Sequence, residues 1–411
     1  MANYFLGLDF GTSGARACVL DEAGEQVFES RVAYTDAANP RHWREALYEL
    51  VAILPAEIRA HLSALSIDGT SGTLLATDGM FEPVSPALLY NDARAVTEAR
   101  IISRAQFGAT SGLAKRLWLA RHFPDAAWCF HQADWLAALL TGMGGVTDIH
   151  NVLKSGFDVQ NLCWPDWVTR LPGGHWQQKV CMPGVAIGAI SPDTARRFGL
   201  NPTCVVRAGT TDSIAALIAS GASRPGEAVT SLGTTLVLKL LSEQRVDDPA
   251  SGVYSHRFGK LWLAGGASNT GGGVLRQFFS SAELATLSQQ IDPTKSSSLD
   301  YYPLPAPGER FPINNPQLQP RMSPRPISDA AFLHGLLEGM SKIEALGYQT
   351  LQALGASPLT QVISAGGGAQ NAAWQGIREN LLGVPVGRAK HTEAAYGAAR
   401  LAREGADVLP N

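Results

Sequence analysis

The stretch Leu6-Gly7-Leu8-Asp9-Phe10-Gly11-Thr12-Ser13-Gly14-Ala15-Arg16-Ala17 decides how the rest of the chain is read. An apolar run ends at Asp9, a Gly/Thr/Ser turn follows, and a second apolar run reaches Leu20. This is the pattern of a β-hairpin. Its turn is either an ordinary polar tip or a concave nest of backbone N–H groups and hydroxyls that holds an anion such as phosphate. A carboxylate at Asp9 cannot hold phosphate itself, but it suits a hard divalent cation that travels with phosphate. The pattern returns at Ser231-Leu232-Gly233-Thr234-Thr235, between the strand-like runs Glu227–Leu232 and Leu236–Leu241. Self-similarity on the scale of a domain reads as duplicated domains, not as a solenoid repeat. Two facing hairpins of this kind would clamp a nucleotide between two lobes.

Size and composition agree with that division. At roughly 150 residues per domain, 411 residues imply two or three domains. Hydrophobic residues make up 45% and charged residues 17%, a globular composition. Lys plus Arg number 33 against 36 for Asp plus Glu, a net charge of −3, so neither a nucleic-acid nor a membrane partner is expected. No apolar run approaches the ~18 residues of a spanning helix. The chain enters a strand without a basic leader, which makes a cytoplasmic location the expectation. The five cysteines are scattered with no C-x-x-C pair and read as buried reduced thiols. No H-x-x-x-H pair supports zinc.

Along the chain, strands are expected at 4–8, 15–21, 26–32, 62–67 and 73–78. Helices are expected at 40–61, where Trp43, Leu47, Leu50, Val51 and Leu54 keep helical spacing, and at 98–105, 111–122 and 133–140. The Gly-, Asn- and Pro-bearing segment 142–174 reads as irregular. The order implies a mixed α/β sheet. A domain boundary is placed near 207, giving domains 1–207 and 208–411. Beyond it come a helix from Ser213, the second hairpin, a strand at 261–264 and a Pro-rich surface wrap at 296–325. A long helix at 329–354, a strand at 362–365 and helices at 371–382 and 393–403 complete the chain.

Three constellations could carry chemistry. Asp212, in Gly209-Thr210-Thr211-Asp212-Ser213, lies between a strand end and a helix start, where ligands gather in open α/β sheets. It is either a helix cap or a base that takes a proton from a substrate hydroxyl. Gly366-Gly367-Gly368-Ala369-Gln370-Asn371 is a strand-to-helix loop that lets a nucleoside approach the backbone, with Asn371 to bond an adenine edge and Trp374 one turn along. It is also readable as a plain flexible connection. Asp68-Gly69-Thr70-Ser71-Gly72 ends a strand with small hydroxyl residues suited to a polyol. Asn91-Asp92-Ala93-Arg94 and Gln132-Ala133-Asp134-Trp135 add amide and carboxylate groups, each equally readable as a turn or a cap.

In this order the motifs resemble the FGGY family of carbohydrate kinases, within the actin/hexokinase/Hsp70-like ATPases, over nearly the whole chain. Asp9-Phe10-Gly11-Thr12-Ser13 and Ser231–Thr235 are similar to its two phosphate motifs, Gly366–Asn371 to its adenosine motif, and Asp212 to its catalytic aspartate. Tyr90-Asn91-Asp92-Ala93-Arg94 resembles the W-N-D-x-R segment of xylulokinases. Leu65–Gly72, Ala208–Ala216 and Ser251–His256 most resemble the short D-ribulose kinases of cyanobacteria and plant plastids. Ordinary xylulokinases carry G-Q-M-H-G where this chain has Asp68-Gly69-Thr70-Ser71-Gly72, so Ser71 takes the histidine's place and a different ketose is favoured.

The resemblance implies a two-lobe α/β fold (ribonuclease H-like) with a central cleft, the N-terminal lobe for sugar and the C-terminal lobe for ATP. It implies ATP with Mg²⁺, and phosphorylation of a ketopentose, D-ribulose foremost, to D-ribulose 5-phosphate. Asp212 would be the general base. Asp9, Ser71, Asp134 and Asp212 would hold the sugar. Thr12, Ser13, Gly233, Thr234, Gly366, Gly367, Asn371 and Trp374 would hold the nucleotide, and Asp9 the metal. The alternatives are a D-xylulose or other polyol kinase and a non-catalytic sugar sensor on the same fold.

Overall fold

A computed structural model describes residues 3–102, 104 and 107–410. The chain divides into two compact units, Met1–Ala219 with Glu393–Leu409, and Ser220–Thr392 with Pro410–Asn411. Among the described residues the first unit holds ten strands: β1 (Tyr4–Phe10), β2 (Gly14–Leu20), β3 (Gln26–Ala33), β4 (Leu62–Gly69), β5 (Leu74–Thr77), β6 (Trp128–His131), β7 (Val146–Asp148), β8 (Lys179–Cys181), β9 (Ala186–Ala189) and β10 (Val205–Thr211). Its main sheet runs β3-β2-β1-β4-β10-β9. β1 to β3 form an antiparallel meander, whereas β1, β4 and β10 lie parallel and adjacent. Their C-terminal ends therefore share one edge of the sheet.

Side-chain alternation along β1 sends Leu6, Leu8 and Phe10 into a core with Trp43, Leu47, Leu50 and Val51 of the helix Pro40–Ala52. Trp43 and Trp135 meet edge-on in that core, their ring centroids 6.1 Å apart. The opposite face of β1 receives the helix Ala394–Glu404. Its backbone comes so close that a Cβ on Gly7 would lie 2.1 Å from Ala395 O. Alanines along that helix make this approach possible, and the helix also closes on Asp212–Ser220: a Cβ on Gly397 would sit 1.8 Å from Ala215 O. Arg400 Nη1 donates to Ile218 O at 2.7 Å. These contacts bind the helix after β10 and the last helix into the first unit. The division consequently falls after Ala219, not at the expected 207, and the chain returns to the first unit at its end.

The second unit holds β11 (Glu227–Leu232), β12 (Leu236–Ser242), β13 (Tyr254–Phe258), β14 (Leu261–Ser268), β15 (Gln361–Ala365) and β16 (Val386–Arg388), in the order β13-β14-β12-β11-β15-β16. β11 and β12 form a hairpin, β14 continues the antiparallel side, and β15 and β16 add in parallel beside β11. The arrangement of β1, β2, β3, β4 and β10 is thus repeated by β11, β12, β14, β15 and β16, which is the duplication that the two hairpins suggest.

Some local expectations change. The helix expected at 40–61 breaks into Pro40–Ala52 and Ala56–Ala60, because Pro55 stands between them. The helix expected at 98–105 is Val96–Ile102, and Ala105 lies outside the described residues. A further helix, Ser281–Ser288, carries a capping box from Ser280 and Glu283, a signal present in the sequence as S-x-x-E. None of the helices described is long and apolar enough to cross a membrane.

Candidate active site

Register places the carboxylates. Asp9 on β1 lies beside Asp68 on β4, and Asp68 lies beside Thr210 on β10, two residues before Asp212. Asp9, Asp68 and Asp212 therefore gather where three parallel strands end. Asp9 is 8% exposed and Asp68 wholly buried. Burial pushes the Asp9 carboxyl up to about 6, against a hydrogen bond with Asp68, with the Asp212 charge pushing the same way as burial. Burial raises Asp68 further, aided by the charges of Asp9 and Asp212. With both carboxylates ionised, neither Asp68 oxygen has a hydrogen-bond partner. With Asp68 protonated, it donates to Asp9, and the pair shares one proton. Arg16 Nη1 stands 3.9 Å from Asp9 Oδ2 and also pairs with Glu393.

Holding Asp9 ionised in this setting costs stability. A folded-state value raised from 3.8 to about 6 means that the contribution is intact below pH 3.8 and lost as pH rises through 6. The penalty at pH 8 is on the order of 3 kcal/mol. Asp9→Asn removes it. The variant's unfolding midpoint should exceed wild type at pH 8 in EDTA and converge on it near pH 4. Equal midpoints at pH 8 would show that Asp9 is not strained.

The turn beyond Asp9 leaves Thr12 and Ser13 exposed. Gly11 N donates to Gly14 O at 3.1 Å, and Tyr34 OH donates to Gly11 O, so the tip is fixed from beneath. Asp212 opens the helix Asp212–Ser220, and its Oδ1 accepts from Ser213 N at 2.6 Å.

The Asp68–Gly72 loop is braced by Thr70, which bonds Gln132 Oε1 through both its N–H (2.9 Å) and its hydroxyl (3.0 Å). Lys115 Nζ, wholly buried, donates to Gly72 O at 2.9 Å and Leu89 O at 2.5 Å. Ser71 is half-buried in this loop. Asp92 is engaged by Arg94, Nη2 to Oδ2 2.8 Å, and Arg94 lies over the Trp118 ring.

Asp134 bonds a neighbouring histidine through one carboxylate oxygen. His131 Nδ1 bonds Asp134 Oδ2 at 3.1 Å, and His131 Nε2 bonds Ser155 Oγ at 3.0 Å. This buried chain pins the 3-10 turn Val152–Ser155. The same segment is tied to β10 through His150 Nδ1 and Thr210 Oγ1, 2.7 Å apart. Asp148 holds the backbone of His150 and Asn151, its carboxyl pushed up to about 7 by burial and the Asp134 charge. The turn carries Lys154 beside the Asp68–Gly72 loop, a residue for which the irregular-looking segment 142–174 gives no sequence signal.

In the second unit, the tip of the β11–β12 hairpin is held by Gly272 N donating to Gly233 O (2.9 Å) and Gly273 N to Thr234 O (3.0 Å). Arg276 Nη2 donates to Thr234 Oγ1 at 2.9 Å, which places a cation beside this turn that no local sequence motif marks. A cavity of about 660 Å³ opens there, lined by Gly233, Thr234, Arg276, Leu284, Gly367, Gly368, Asn371 and Trp374 among others. That volume suits a small-molecule ligand.

Asn371 caps the helix Ala372–Leu382 by accepting from Trp374 N at 3.0 Å, and donates to Ser288 Oγ at 2.8 Å. Trp374 is 1% exposed and donates to Ser341 Oγ, so its ring forms the cavity's floor. Gly366 turns at φ +81° with Leu232 O close by. A Cβ on Gly368 would lie 2.6 Å from the Trp374 ring. Gly368→Val should close the cavity and weaken ADP binding at least tenfold by calorimetry. Unaltered ADP affinity would count against the expectation that this glycine loop holds a nucleotide.

The repeated sheets and strand-end carboxylates define a two-domain α/β protein of the actin/hexokinase-like class. Two models of the FGGY family of carbohydrate kinases match, the N-terminal domain over residues 4–219 and the C-terminal domain over 228–403, and the chain belongs to that family. It is 26% identical to a xylulose kinase of Escherichia coli K12, covering 97% of this chain and 89% of the relative. It is 23% identical to a gluconokinase of Bacillus subtilis, covering 93% and 83%. A solved xyloylose kinase from Brucella ovis superposes with a TM-score of 0.85 at 24% identity, over 98% of this chain and 91% of that one. A Plasmodium falciparum glycerol kinase with ADP gives 0.83 at 16%, over 97% and 89%.

Proposed function

We propose that the chain transfers the γ-phosphoryl group of ATP to a ketopentose, with D-ribulose as the preferred acceptor and D-ribulose 5-phosphate as product. The observation that carries this reading is the convergence of Asp9, Asp68 and Asp212 at the ends of β1, β4 and β10, with an exposed Thr12-Ser13 turn at the tip of the first. Ser71, Asp9 and Asp212 hold the sugar in the first unit. The cavity bounded by Gly367, Asn371 and Trp374 takes the nucleoside in the second, with Gly233 and Thr234 toward the phosphates.

Asp212 accepts the proton of the attacking hydroxyl as its oxygen bonds the γ-phosphorus and the bond to ADP breaks. Catalysis is then positioning and charge neutralisation. Among the described residues no group of three or more ligand side chains forms a metal centre. Asp9 offers one hard oxygen donor, which is sufficient for Mg²⁺, since that ion takes one or two carboxylates together with phosphate oxygens and water. When bound, it would neutralise charge on the phosphates.

D-xylulose is the second reading, favoured by the names of the similar kinases. Ser71 in the Asp68–Gly72 loop favours D-ribulose. The two separate in a measurement of ADP release with Mg·ATP across D-ribulose, D-xylulose, L-ribulose, glycerol and no sugar. A large rise with D-ribulose alone is expected. A rise with D-xylulose alone would transfer the assignment to that sugar, and a flat panel would favour the sensor.

A further inference from the structure

We propose that Lys154 binds the phosphate of the sugar phosphate product, so that the acceptor site recognises phosphorylated sugar as well as free sugar. The inference rests on the kinase reading and adds to it a phosphate-binding residue on the sugar side. Lys154 sits on the 3-10 turn Val152–Ser155 with its Cδ 4.0 Å from where a Cβ on Gly72 would be, so its stem lies along the loop that carries Ser71.

Its surroundings contain attractive and repulsive charge. Burial lowers the ammonium's pKa, while the Asp212 charge counters that effect. Lys115 beside it is repelled by its charge. The two lysines differ in one respect that matters: Lys115 is saturated by two backbone carbonyls. The carboxylates explain why a cation is needed here. The Asp212 charge raises both Asp9 and Asp68, and the Asp9 charge raises Asp68 as well. A dianionic phosphate formed on a hydroxyl beside Asp212 would meet like charge unless a cation faced it, and an ammonium of reduced hydration is suited to that task.

The turn is also built to hold still. Ser155 is bonded by His131, which Asp134 orients, and His150 fastens the preceding residues to Thr210 at the end of β10. Lys154 is thereby placed by the same strand that places Asp212. This gives the Asp134–His131–Ser155 chain a positioning role.

The test compares wild type with Lys154→Met and Lys154→Gln. Isothermal titration would measure D-ribulose, D-xylulose and their 5-phosphates, alongside turnover on the sugar panel. The expected result is a loss of about 10- to 100-fold in 5-phosphate affinity, the worth of a charge-assisted hydrogen bond, with free-sugar affinity changed less than threefold. Lys154→Gln repeats the measurement if the methionine variant does not fold. Equal losses for sugar and sugar phosphate would make Lys154 a hydroxyl ligand and overturn the proposal, as would unchanged affinity for both. In either case a wild type that phosphorylates a sugar leaves the kinase reading standing. A wild type that phosphorylates none would overturn both.

Discussion

Asp212→Ala should remove sugar phosphorylation while leaving the second unit able to bind ADP. Loss of a positioned base lowers the rate by about 10²- to 10⁴-fold, and Asp212 is the carboxylate that begins a helix at the end of β10, facing the shared strand edge. Two features separate catalytic loss from general damage. The cavity proposed for the nucleotide is lined by residues of the second unit, so ADP affinity should hold within twofold. Removing the Asp212 charge also removes one of the repulsions that raise Asp9 and Asp68, so the folded protein should become no less stable above pH 6. ADP release with saturating sugar, together with a melting curve, decides the matter. Unchanged turnover removes Asp212 from the mechanism. A large fall in melting temperature would mean that its bond to Ser213 N serves the helix first.

What could be read from the sequence was whatever is written locally. The hairpin at Asp9–Gly14 and its copy at Ser231–Thr235 show as Gly-Thr turns between apolar runs, and the structure builds β1–β2 and β11–β12 around them. The Gly366–Gly368 loop is legible because glycine runs stop strands and allow close approach. The missing parts depend on contacts distant in sequence. Asp68 shows locally only as the start of a polyol loop, and its place between Asp9 and Thr210 comes from strand order. Arg276 follows a short glycine turn and meets Thr234 only because Gly272 and Gly273 dock on the second hairpin. Asp134 reads as a polar ligand in a first helical turn, and its bond to His131 Nδ1 through Oδ2 is a contact the sequence does not announce. The 207 boundary follows the strand, whereas packing between alanine- and glycine-bearing helices sets the end of the unit.

The other large effect is expected far from the carboxylates. Arg378 is 0% exposed, in the helix that Asn371 caps. It makes a two-pronged pair with Glu344, Nε to Oε2 2.6 Å and Nη2 to Oε1 2.7 Å, and gives Nη1 to Ser364 Oγ at 2.6 Å. Glu344 Oε1 also accepts from Thr230 on β11 at 2.5 Å, and Thr230 meets Tyr348 OH at 2.7 Å. One buried pair thus ties the helix Asp329–Ala353 to β11, the first strand of the second hairpin, and, through Ser364, to β15. Arg378→Ala leaves Glu344 as an uncompensated buried charge, a defect worth about 3–5 kcal/mol. Arg378→Met with Glu344→Leu removes both charges and should recover most of that loss, because replacing both partners of such a pair is nearly neutral. Chemical unfolding of the three proteins measures this directly. ADP affinity of the single variant at low temperature should also fall, since Trp374 lies on the same helix one turn before Arg378. A loss below about 1 kcal/mol in the single variant would mean that water reaches Glu344, and the pair would then be a minor tie between these elements.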